Sequence, residues 1–223
     1  MTTITNNTFK QVLTDIFNMP YYKNYPACSG LTKMEEKNGH EIAIEHLLKS
    51  YGYVSFNDIK LKKTDKQNLN YVLETMPNFT YISQPFGSND NPDFIIKDEN
   101  GIILCLEAKS CTTVYPQYNS GGIHRHYIYV FCSKKNNQTV IYKGSDIITE
   151  KQCRLIAEHI ELQRQQDIEL NKKLAEFDTN NRGVSYYTRP MIVQKGGGEK
   201  TNYFTHSDRE QALNNALNYA LNY

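Results

Sequence analysis

The stretch from Asn91 to Lys109 constrains the fold of this chain more than any other. Its apolar runs, Phe94-Ile95-Ile96 and Ile102-Ile103-Leu104-Cys105-Leu106, flank Asp98-Glu99-Asn100-Gly101, which is hairpin punctuation between two strands. If Glu99, Asn100 and Gly101 form a three-residue loop with Gly101 in the left-handed conformation, Asp98 faces Ile102 across the ladder. Counting back from that pair sets Asp93 against Glu107. Side chains alternate along a strand, so Asp93, Glu107 and Lys109 share one face, while Phe94, Ile96, Leu106 and Ala108 share the other. Like charges directly opposed on neighbouring strands destabilise a sheet, and the arrangement therefore implies a cation between the two acids.

Pro92-Asp93, followed by Glu107-Ala108-Lys109 at the end of the next strand, resembles the signature of the PD-(D/E)XK nucleases. The lead-in Gln84-Pro85-Phe86-Gly87-Ser88 is similar to what precedes the aspartate in several type II restriction endonucleases. The resemblance implies an α/β fold, a mixed central β-sheet flanked by helices, and Mg²⁺-dependent hydrolysis of DNA phosphodiesters. It implies that Asp93, Glu107 and the Ala108 carbonyl ligate Mg²⁺ through hard oxygen atoms, with the scissile phosphate and waters completing the shell. Lys109 would then orient or help deprotonate the attacking water. In that superfamily a glutamate on a helix before the sheet often joins the metal site, about three turns ahead of a Gly-Tyr pair. Gly39-His40-Glu41, followed by Gly52-Tyr53, carries that pattern to Glu41. Glu45 lies one turn on, on nearly the same face, so the accessory acid is Glu41 or Glu45. Glu35 and Glu36 read as a solvated acidic face.

No global charge announces a polyanionic partner. Among 223 residues, 25 Lys and Arg oppose 24 Asp and Glu, so contact with DNA has to come from local clusters. A hydrophobic content of 39% fits one soluble globular domain over 1–223. Its catalytic core is expected over about 32–145, with a helical region for DNA contact or dimerisation over about 149–223. The five cysteines show neither CxxC pairs nor zinc-ligand spacing and suit a reducing, cytoplasmic setting; Cys105 and Cys132 sit in apolar runs as small hydrophobes. Residues 1–7 carry no leader pattern, and no stretch approaches membrane-spanning length.

Elsewhere, periodicity predicts a helix through Phe9, Val12, Leu13, Ile16 and Phe17, a second over 32–51, and an amphipathic segment from Leu69 to Met76. Phe79 to Ser83 reads as a strand. Tyr127 to Cys132 and Gln138 to Tyr142 form a second hairpin around Ser133 to Asn137. A long helical segment, one helix or two, runs from Thr149 to about Phe177, and 184–194 reads as a strand interrupted at Arg189-Pro190. Ser207-Asp208-Arg209-Glu210 reads as a capping box ahead of an apolar stripe from Ala212 to Leu221, which serves the core or a second subunit.

Several stretches could meet nucleic acid. Gln117, Asn119, His124, Arg125 and His126 fall in a polar loop entered directly from the Lys109 strand, and side chains of these types address base edges and phosphates. Lys134 and Lys135 in the second hairpin turn complete the DNA-contacting set. Lys60, Lys62, Lys63 and Lys66 form a basic cluster, and Gly196-Gly197-Gly198 between Lys195 and Lys200 is a backbone approach or a mobile tip. Cutting both strands of double-stranded DNA requires two active sites, so a homodimer is expected. The alternatives are a structure-specific nuclease, such as a junction resolvase or repair nickase, and a DNA-binding protein whose acids are incidental.

Overall fold

The computed structural model describes residues 8–33, 35–59, 61, 62, 65, 70–87, 90–119, 122–194 and 202–219. Helices α1 (Thr8–Phe17) and α2 (Gly39–Ser50) precede strand β1 (Val54–Ser55), helix α3 (Asn70–Thr75) and strand β2 (Thr80–Ser83). Strands β3 (Phe94–Lys97) and β4 (Ile103–Cys111) form the first hairpin, followed by β5 (Gln117–Asn119). A second hairpin, β6 (Ile128–Ser133) and β7 (Gln138–Lys143), leads to α4 (Gly144–Ile147), α5 (Glu150–Glu176), β8 (Met191–Val193) and α6 (Arg209–Tyr219).

Turn chemistry builds the centre of the fold. The buried Asp98 carboxylate accepts the N–H groups of Asn100 (2.9 Å) and Ile102 (2.7 Å), and Gly101 turns the chain at φ 82°, where a side chain would be strained. The Asp98 N–H donates to the Ile102 carbonyl at 2.9 Å, closing the expected three-residue loop. The hairpin lies inside a six-stranded mixed sheet ordered β1-β2-β3-β4-β6-β7. The β1–β2 and β4–β6 pairs are parallel, and the others antiparallel.

Helices flank this sheet because alternate strand residues are apolar on both faces. On one face α1 and α2 bury Phe9, Leu13, Ala43 and Ile44 against Phe94, Leu106 and Val130. The other face carries a mainly aromatic core of Tyr118, Tyr129, Phe131, Tyr142 and Phe204, with Ile95, Ile82, Met76 and Phe86 forming a separate cluster. Removing any one of the large buried aromatics to alanine would cost about 3–5 kcal/mol. Among the described residues no helix is long and apolar enough to cross a membrane.

Several elements depart from expectation, each for a local reason. The second helix begins at Gly39, not near residue 32, because Glu35–Asn38 winds as a 3-10 turn and Glu35 is tied to the Thr32 backbone and hydroxyl. A Cβ on Gly39 would fall 2.5 Å from the Tyr22 ring, so only glycine lets that helix start against it. The segment read as a strand over 184–194 narrows to Met191–Val193, which pairs with β5 inside the supposed loop. The residues before it are held by side chains of α5 instead of a ladder: Asn171 with Tyr186 and Asp167 with Thr188. Thr149 caps α5, which is one helix. Ser207 donates to the Asp208 carboxylate and caps nothing, since α6 starts at Arg209. The α6 stripe turns inward, with Ala216 and Leu217 buried in the domain's own core. Lys60, Lys63, Lys66, the 195–200 glycine segment, Leu69, Ser88, Ala220 and Leu221 lie outside the described residues.

Candidate active site

The β3–β4 register pairs Lys97 with Ile103 and Phe94 with Leu106, and one further step sets Asp93 opposite Glu107, as the turn chemistry requires. The β3 ladder ends at Phe94, while β4 continues to Cys111 alongside β6, with Glu107 facing Tyr129 and Lys109 facing Phe131. The Asp93 side chain fills in for the missing backbone partner: its Oδ2 accepts the Ala108 N–H at 2.7 Å. Lys109 Nζ donates to Glu107 Oε1 at 2.5 Å.

These charges sit where water is scarce. Glu107 is almost fully buried, and its Oε2 has no hydrogen-bond partner among the described residues. Burial, and then the facing Asp93 charge, pushes Glu107 up to about 7; burial, with Glu41 adding to it, pushes Asp93 up to about 6. Helix α2 supplies Glu41, whose carboxyl is raised by burial and further by Glu107, and whose Oε2 is buried without a partner among the described residues. Glu45 belongs elsewhere: it accepts the Tyr81 hydroxyl at 2.7 Å and pairs with Lys49 at 2.8 Å, and these partners outweigh its partial burial to lower its carboxyl. Glu35 is exposed and bound to Thr32.

Sequence reasoning missed His40. Its imidazole is buried against Tyr22 with ring centroids 6.2 Å apart, and neither ring nitrogen has a hydrogen-bond partner among the described residues. Burial, and then the charge of Lys109, pushes it down to about 3, so it is neutral at physiological pH. Its place next to Glu41 was the one signal available in the sequence.

Among the described residues, no three His, Cys, Asp or Glu side chains converge as a ready-made metal cage. Mg²⁺ does not demand one, because it keeps several waters and binds through one or two carboxylates plus substrate phosphate. Two opposed acids, one with an unpartnered buried oxygen, and an accessory acid with another fit that ion. Asp93, Glu107 and the Ala108 carbonyl are the groups that could hold it, with Glu41 close enough to raise and be raised by their charges but not closing with them into one cage.

The expected reading loop divides in two. Gln117 and Asn119 join Ala108, Lys109 and Ser110 around a cleft of about 250 Å³. His124, Arg125 and His126 instead line a separate groove of about 580 Å³ against α5. There Arg125 faces Glu150 at 3.4 Å, and His124 stacks on Tyr127. Lys134 and Lys135 are exposed in the β6–β7 turn, and the Lys134 N–H donates to the Cys111 carbonyl at 3.0 Å, placing them at the same end of the sheet as Lys109. Comparison with protein-family models, with curated proteins and with solved structures finds no match for this chain.

Proposed function

We propose that the protein is a Mg²⁺-dependent endonuclease that hydrolyses DNA phosphodiesters, as a type II restriction enzyme cutting a specific short duplex sequence. The observation that carries this reading is the facing pair of a half-buried Asp93 and a buried Glu107, both raised in pKa, with Lys109 two residues beyond Glu107 on the same strand. A cation between acids raised in this way would favour their ionised forms, and a lysine beside them is positioned to handle a water or a phosphate. Asp93 commits Oδ2 to the Ala108 N–H and keeps its other oxygen for a ligand. Glu107 would exchange Lys109 for the ion, and the released ammonium would orient the attacking water or neutralise the phosphate. Glu41 would hold a second ion or a metal-bound water. Bound Mg²⁺ would supply charge neutralisation and a more acidic water.

Gln117 and Asn119, beside Lys109, are the side chains best placed to meet bases, with Lys134 and Lys135 meeting phosphates and Arg125, His124 and His126 reaching DNA from farther out. The setting is the cytoplasm, and the acting form is a homodimer. Digestion of a long unmethylated DNA with Mg²⁺, beside an EDTA control and an Asp93→Ala control, should give discrete fragments whose sequenced ends share a short motif. Nicks or cuts confined to branched DNA would point to a resolvase or nickase. No metal-dependent cleavage of any DNA would leave a binding protein and sink the reading.

A further inference from the structure

Among the described residues thirteen large hydrophobic side chains are exposed, and ten of them lie between Leu155 and Val193. They belong to one feature. Helix α5 has 27 residues and buries none of them, so it runs roughly 40 Å along the surface at 1.5 Å per residue. The chain returns beside it, pinned by the Asn171–Tyr186 and Asp167–Thr188 hydrogen bonds, and ends in β8. Its base is anchored where Ile156 and Ile192 pack partly against the aromatic core. The result is an ordered arm carrying apolar side chains outward, with Phe177 82% and Tyr187 77% exposed. A groove of about 610 Å³ opens between α5 and residues 188–193, lined by Leu155, Ile156, Ile160 and Ile192.

We infer that this arm is the surface on which a second copy of the chain docks. Charge selects that occupant. Residues 150–193 carry seven acidic and seven basic side chains, intermixed along the helix. A balanced surface offers nothing net to a polyanionic backbone, whereas it can be its own complement across a two-fold axis. Area agrees. Ten large side chains, each exposing about half of a surface that reaches roughly 150–250 Å² for aromatics, offer on the order of 1,000 Å²; a stable interface needs about 800 Å² per partner. The other candidate for self-association, the α6 stripe, is already used within the subunit. This inference rests on the homodimer of the proposed function but not on its chemistry, because association can be measured without any cleavage.

Sedimentation velocity of the full chain tests it. The wild type should be a dimer over roughly 1–100 µM. Phe177→Glu combined with Tyr187→Glu should raise the dimer dissociation constant by about 100-fold or more, as expected for removing two aromatic anchors. Val54→Glu, which alters an exposed apolar residue on the far edge strand, should leave it unchanged. Circular dichroism verifies folding, and Leu162→Gln gives a milder arm variant whose smaller shift must point the same way. A wild type that is monomeric throughout this range overturns the inference, as does a dimer indifferent to the arm variants. An arm variant with unchanged association but weakened, salt-sensitive binding to duplex DNA overturns it in favour of a nucleic-acid surface. A dimer that cleaves no DNA would keep this inference while sinking the nuclease, and a monomer that cleaves DNA would do the reverse.

Discussion

The β3–β4 hairpin and the loop from Gln117 to His126 both carry polar side chains that a nuclease could use, yet they hold them differently. On the hairpin, Glu107 is buried with one oxygen unpartnered, and its nearest cation is a single lysine. In the loop, Arg125 spends one guanidinium nitrogen on an exposed Glu150 while its Nε is buried without a partner among the described residues, and Gln117 is solvated. A buried group without its partner costs about 1–3 kcal/mol, and more when it is charged, so the hairpin acids are the costlier groups to keep ionised. A surface pair costs almost nothing and is retained or lost freely. The hairpin is therefore where a bound cation would gain most, and the loop is where losing a contact would cost least.

The largest effect that could break this contrast is on turnover. Asp93→Ala and Lys109→Ala should each lower cleavage by about a thousandfold or more while duplex binding stays near wild type, since each ~1.4 kcal/mol of lost transition-state stabilisation is tenfold. Single-turnover assays alongside binding isotherms measure both, and near-normal cleavage in either variant would return the hairpin acids to the solvated surface. Helix α2 offers a smaller, internal version. Glu41→Gln should impair cleavage by about a hundredfold, and Glu35→Gln by less than about twofold, because the second is an exposed charge. Equal effects would remove Glu41 from the site.

Stability against pH sharpens the contrast without any substrate. Asp93 and Glu107 are raised in the folded protein from the ordinary carboxylate range to about 6 and about 7. Between that range and pH 7 the folded state thus holds protons that the unfolded chain has lost, so stability falls as pH rises through this window. In EDTA the melting temperature should drop between pH 5 and pH 8. Glu107→Gln should flatten the decline, and added Mg²⁺ should reverse it by favouring the ionised acids. A metal-free melting temperature that rises across the window would show that these acids are better solvated than the structure has them.

The smallest expected effects belong to the loop. Arg125→Ala should weaken duplex affinity by about 1–3 kcal/mol on the cognate sequence alone if it reaches a guanine edge, and for all sequences alike if it meets phosphate. Gln117→Ala, beside Lys109, should alter discrimination more than Arg125→Ala does. No change with either variant would take the loop out of the interface.

Why the hairpin was legible and the loop was not comes down to range. Asp98, Gly101 and the alternation of Phe94 to Leu106 act within a few residues, so the turn fixed the register and the register set Asp93 against Glu107. The same locality served α1, the second hairpin and the capped start of α5. The pairing of β5 with β8 joins three-residue strands more than seventy positions apart, and neither carries a signal for the other. The start of α2 at Gly39 depends on where the Tyr22 ring lies, which no helical period encodes. His40 escaped for the same reason, since its burial is set by Tyr22 and the approach of Lys109.

The bond from the Ala108 N–H to Asp93 Oδ2 makes one carboxylate oxygen a rivet, and the proposed function would give the same group a second duty as a ligand. An amide can perform the first and fail the second, because its carbonyl oxygen accepts from Ala108 while its NH₂ points a donor at any cation. Asp93→Asn thus separates architecture from chemistry in a single atom. The strand end should stay stitched, and the pocket should lose its affinity for cations, so that an intact variant without metal binding would report on the proposed chemistry alone.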